Sequence, residues 1–138
     1  MKSIVLLLVG LFIGVLGTVA GMSALRQGTP YNDAVMATLG HQMGAFKGMR
    51  ESGSCDAAEI SRRLNVMGAM ADEVAPAFLP VGDDAKFTQL AQDLRNAVTK
   101  ASATVAQQAA AGTAACETLS KVTPEIGATC KGCHDVFR

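Results

Sequence analysis

The most specific chemistry in this chain lies in its last nine residues. Cys130-Lys131-Gly132-Cys133-His134 is a C-x-x-C-H pentapeptide, and Asp135-Val136-Phe137-Arg138 follows it. Two thiols three residues apart on a helix share a face, so each can form a thioether to one edge of a haem. The adjacent His then reaches the iron. A thioredoxin-like C-x-x-C requires a βαβ setting, and no stretch here alternates with period 2. Half of a zinc site would need two more ligands, and Cys55, Cys116 and His41 are poorly spaced to supply them. The motif therefore predicts one covalent haem c, attached at Cys130 and Cys133 with His134 as an axial ligand of the iron.

Such a site must be held by helices. The 138 residues are 49% hydrophobic but only 4% aromatic, without Trp and with a single Tyr31. Ala, Met and Leu make up the aliphatic share, and these are helix formers. A first helix is predicted from about Asp33 to Glu51, with Met36, Leu39, Met43, Phe46 and Met49 or Arg50 on its buried face, ending at Ser52-Gly53. A second opens at Asp56 with a capping box to Glu59. It presents Ile60, Leu64, Met67, Ala71 and Val74, then stops at Pro76 and Pro80. A third starts near Asp83 or Asp84, presents Phe87, Leu90, Leu94, Val98, Ala101 and Val105, and is capped by Gly112. The fourth starts near Thr113 and carries Leu119, Val122, Ile126, Cys130 and Cys133. Pro124 either kinks it or restarts it with Thr123 as N-cap. The expected fold is all-α, an antiparallel up-down-up-down four-helix bundle over residues 33–138. A core of Ala and Met would be thin, and a large apolar group would help to fill it.

The N-terminus concerns address. Ser3 to Leu25 is a 23-residue run without a charge, between Lys2 and Arg26. That length favours a membrane-spanning helix, which needs about 20 apolar residues, over a signal peptide with a core of about 7–15. Small residues suiting cleavage after Ala20 or Ser23 keep the signal reading open. Gly10/Gly14 and Gly17/Gly21 repeat a spacing that lets two membrane helices approach closely. Residues 1–26 thus read as anchor or signal and 27–32 as a linker. Either way the bundle is exported, which makes the expected location periplasmic, tethered through residues 3–25 where the run is retained.

Export places the two remaining cysteines in an oxidising compartment. Cys55 falls in the first turn and Cys116 at the start of the fourth helix, at the same end of such a bundle. A disulfide is expected, two free thiols being the alternative. The 12 basic and 12 acidic residues give no electrostatic case for nucleic acid. Asp72/Glu73 and Asp83/Asp84 read as solvated caps, and His41 as a surface residue. No catalytic constellation can be assembled, so no enzyme is expected.

A C-terminal Cys-Lys-Gly-Cys-His-Asp-Val-Phe-Arg closing an exported four-helix chain resembles cytochrome c′ and its class II c-type relatives. Tyr31-Asn-Asp-Ala-Val-Met-Ala-Thr-Leu-Gly-His-Gln-Met-Gly44 and Asp56-Ala-Ala-Glu59 extend the resemblance over about residues 31–138. The resemblance implies that Arg138 flanks the proximal pocket, that Met36 faces the distal side of the haem, and that the protein is a homodimer. If Met36 only packs there, the iron is five-coordinate and binds a small gas such as NO or CO. If its thioether ligates, the protein is a low-spin electron carrier with a redox partner protein. A haem-free structural bundle is a third reading. Asn32-Asp33 stands where the family often has Arg-Gln, so a propionate contact from that Arg is not carried over. Pro124 replaces a residue inside the family's final helix.

Overall fold

Local chemistry sets the helix boundaries in the computed structural model, which describes residues 10–18 and 30–137. Helix α1 spans Tyr31–Ser52, α2 Ala57–Ala77, α3 Ala85–Ala110 and α4 Ala115–Phe137, with a single 3₁₀ turn at Val81–Asp83. Asp56 caps α2 by accepting from the Glu59 N–H at 2.7 Å. The Glu59 carboxylate turns instead to Arg62 at 2.6 Å and Arg63 at 2.8 Å. Asp84 caps α3 through the N–H groups of Lys86 and Phe87. At the end of α3, Gly112 takes a φ of +74°. Its N–H donates to Ala109 and that of Thr113 to Gln108, the two bonds of a Schellman motif.

Three boundaries differ from the sequence expectation. Helix α1 begins at Tyr31, so Tyr31 and Asn32 belong to the bundle and not to the linker. Helix α2 runs one residue past Pro76. Helix α4 continues through Pro124 without restarting, and Thr123 is not a cap, because its hydroxyl donates to the Leu119 carbonyl. The carbonyl that loses its partner to Pro124 is that of Ser120. Both residues are exposed, which leaves that carbonyl on the solvent side of the helix.

Cross-helix contacts define an antiparallel bundle, because each successive pair steps in opposite directions along its two helices. Tyr31 meets Glu73 and Gln42 meets Arg63 between α1 and α2. Asp72 meets Arg95 and Phe78 meets Phe87 where α2 passes into α3. Lys100 meets Glu125 and Phe87 meets Phe137 between α3 and α4. Asp72 and Glu73 thus fasten helices together and are not caps. A disulfide joins Cys55, in the α1–α2 turn, to Cys116 near the start of α4.

The core is built by all four helices, with Phe46, Ile60, Leu64, Met67, Leu119 and Ile126 its largest fully buried side chains. On α1 the buried face is turned by one residue from that expected: Val35, Leu39, Gln42 and Phe46 are buried, while Met36 and Met43 are half-buried beside them. Residues 10–18 are helical and belong to a unit separate from the bundle. Among the described residues no helix is long and apolar enough to cross a membrane. Most of residues 1–26, and Arg138, lie outside the described residues.

The disulfide closes a loop of 61 residues. The double variant Cys55→Ser/Cys116→Ser is expected to lose about 2–4 kcal/mol of stability. Thermal or urea unfolding followed by circular dichroism measures this, and an unchanged midpoint would show that the crosslink is energetically idle.

Candidate functional site

All four helices leave a gap in the half of the bundle away from the disulfide. It is an overwhelmingly apolar cavity of about 320 Å³, within the range of about 300–1,000 Å³ usual for small-molecule sites. Helix α1 contributes Met36, Leu39, Gly40 and Met43, α2 Val74, and α3 Leu90, Ala91 and Leu94. The last wall is α4, with Thr129, Cys130, Cys133 and His134. Cys130 lies 14 residues beyond Cys116, which places this wall about 21 Å along α4 from the disulfide.

The α4 wall is where the chemistry lies. Cys130 and Cys133 are free and half-buried, and both pack against the core. Burial pushes both thiols above the ordinary cysteine range, and Cys133 adds to the effect at Cys130. They are therefore held as protonated, apolar thiols. The Thr129 hydroxyl donates to the Ile126 carbonyl at 2.7 Å, which removes it as a polar group in the cavity. Lys131 and Asp135 pair with each other on the exposed side of the helix. Phe137, in the last turn of α4, packs edge-on to Phe87 with ring centroids 5.1 Å apart and fixes the end of the helix that carries His134.

The residues predicted from sequence therefore divide clearly. Cys130, Cys133, His134 and Met36 meet at one cavity. Arg138 lies outside the described residues, and His41 is exposed and not part of the cavity wall. Cys55 and Cys116 are bonded to each other, so they cannot complete a zinc site. Among the described residues no group of three or more His, Cys, Asp or Glu could hold a metal ion. The donor set instead fits a haem: two unoxidised thiols on one helical face, an imidazole one residue on, and an apolar chamber beside them. The sequence pattern marks Leu39, Val74, Leu90 and Leu94 only as core and gives Gly40 and Ala91 no role. The only signal for these was small residues, Gly40 and Ala91, standing where packed helices usually carry larger side chains.

Comparison with known proteins agrees with this arrangement. The family described as cytochrome C′ matches residues 29–138. No curated protein matches the chain. Among solved structures, a nitric oxide complex of a mutant cytochrome c prime from Alcaligenes xylosoxidans is 24% identical with a TM-score of 0.64, over 78% of this chain and 90% of that one. A second mutant's nitric oxide complex from the same organism is 25% identical with a TM-score of 0.62, over 76% and 88%. Cytochrome c′ from Rubrivivax gelatinosus is 19% identical with a TM-score of 0.60, over 76% and 89%.

The state of the four cysteines predicts a labelling pattern. In unreduced, haem-free chain, an alkylating reagent should modify Cys130 and Cys133 and leave Cys55 and Cys116 intact. Because both free thiols are shifted upward, the thiolate is scarce at neutral pH. Labelling should be slow there and accelerate as the pH rises past the ordinary cysteine range. Peptide mapping by mass spectrometry reads both results.

Proposed function

The chain belongs to the cytochrome c′ family, and on that premise we propose that it is a haem protein that binds a small uncharged gas such as NO or CO. The observation that carries this reading is the apolar cavity of about 320 Å³ with both free thiols and His134 on one wall. Cys130 and Cys133 would hold a single haem c through thioethers, and His134 would ligate its iron from α4. When bound, the haem supplies an iron centre that can take a diatomic ligand.

The rest of the chamber then determines what enters. Leu39, Leu90 and Leu94 offer no hydrogen-bond donor, so the chamber suits a small apolar gas better than a polar or charged ligand. Similar folds solved as nitric oxide complexes support the gas reading. The protein acts as a binder and not as an enzyme.

A second reading rests on Met36, which contributes a thioether to the cavity from α1, a different wall from His134. If that sulfur ligates the iron, the protein is a low-spin electron carrier. Our first reading takes Met36 as packing, like Met43 beside it.

The uncharged run from Ser3 to Leu25 supports export with residues 3–25 retained as a membrane anchor. The Cys55–Cys116 disulfide supports an oxidising compartment. A mature mass equal to 138 residues plus haem is the expected result, and loss of about 20–23 residues would identify a cleaved signal.

Optical spectra of ferric and ferrous protein, with and without CO, separate the two readings. A broad high-spin ferrous Soret band that shifts with CO is expected, and Met36→Ala should leave that spectrum high-spin. Sharp low-spin bands unmoved by CO, and abolished in Met36→Ala, would replace gas binding with electron transfer.

A further inference from the structure

The two ends of the bundle differ in kind. At one end the Cys55–Cys116 disulfide ties the α1–α2 turn to α4. At the other end lie the start of α1, the α2–α3 turn and the last turn of α4. Within the bundle, the large apolar side chains left exposed are five: Tyr31, Leu79, Val81, Val136 and Phe137. All five belong to this second end. Leu79 is 65% exposed and Val136 57%, so these are not rims of the core.

The patch is built, not frayed. Phe78 and Phe137 both pack on Phe87, which joins the α2–α3 turn to the last turn of α4. Gly82 is buried in that turn, where an added Cβ would collide with the Ala75 carbonyl. Its own carbonyl accepts from the Thr88 hydroxyl at 3.0 Å. Tyr31 is held by its hydrogen bond to Glu73.

The chain also enters the bundle on this face. Arg26 closes the uncharged run, and five residue steps separate it from Tyr31. Fully extended, these span at most about 18 Å. A folded partner domain of ordinary size is thicker than that. With residues 3–25 in a bilayer, lipid is therefore the surface within reach of the patch. We propose that the Tyr31–Leu79–Val136 end of the bundle rests its apolar side chains on the outer surface of the membrane that holds the anchor. This inference rests on the retained anchor proposed above.

The chemistry of the face says what kind of contact this is. Tyr and other aromatic residues favour the membrane–water interface, and apolar side chains sink into its boundary layer. Charge does not draw the face to anionic lipid. Asp33 and Asp83 are exposed around it and outnumber the one exposed, unpaired lysine there, Lys86, while Lys131 is already paired with Asp135. The contact is apolar, so zwitterionic phosphatidylcholine should serve as well as a membrane containing anionic lipid.

Hydrogen–deuterium exchange on the full-length protein reconstituted in phosphatidylcholine vesicles tests this, with intact mass recorded on the same sample. Amides of residues 79–84 and 134–137 should exchange several-fold more slowly in vesicles than in detergent solution, while the turn at residues 53–56 is unchanged. Leu79→Asp/Val81→Asp replaces only exposed side chains and should abolish protection at 134–137, a segment it does not alter. Equal exchange in vesicles and solution would overturn the proposal. So would protection that grows with protein-to-lipid ratio, which would assign the face to a second copy of the chain. Loss of residues 1–26 by mass would remove the premise, and the mass, not the exchange, would record it.

Discussion

The structure turns on a volume that its own side chains do not fill. Where α1 brings Gly40 and α3 brings Ala91, the four helices cannot close on one another, and a chamber remains in one half of the bundle. Dense packing is the rule in protein interiors, and an apolar void forfeits the contacts its lining would otherwise make. The other half shows what the same chain does when it can close. There Phe46, Ile60, Leu64 and Leu119 leave almost no surface exposed. The disulfide sits beyond that closed half, so the crosslink and the chamber occupy opposite ends of one framework.

That division explains the environment of the terminal motif. Cys130 and Cys133 are not loop cysteines waiting for a partner but positions on the wall of a packed helix, half-buried and in contact with the core. The helix dictates their spacing and common face, and Phe137 stops the last turn from fraying by packing on Phe87. Polar groups nearby are directed elsewhere: Thr129 to a backbone carbonyl, Lys131 to Asp135. With those two groups satisfied outside it, His134 is left as the chamber's polar side chain.

Much of this was legible from residue types and spacing. The α2 stripe of Ile60, Leu64, Met67, Ala71 and Val74 is the buried face observed, because that helix packs almost entirely against other side chains. Helix α1 was harder. It borders core on one flank and chamber on the other, so its apolar arc is wide, and periodicity alone did not separate Val35 from Met36. Pro124 was read by a local rule that the exposed side of α4 relaxes. Leu90 and Ala91 carry no mark of their role, since an aliphatic residue looks the same whether it faces a neighbour or a void. The terminal pentapeptide needed no such context, because its chemistry is contained within five consecutive residues.

The four cysteines set a sorting problem for whatever matures this protein. Four thiols can be joined into two bonds in three ways, and the structure uses one bond and leaves the other pair open. In an oxidising compartment all four thiols meet the same oxidant. The difference between the pairs is therefore one of place. One pair meets at a turn and a helix start, and the other lies along a helix wall among aliphatic neighbours. Folding itself thus acts as the discriminator between thiols to be consumed by oxidation and thiols to be kept in reserve.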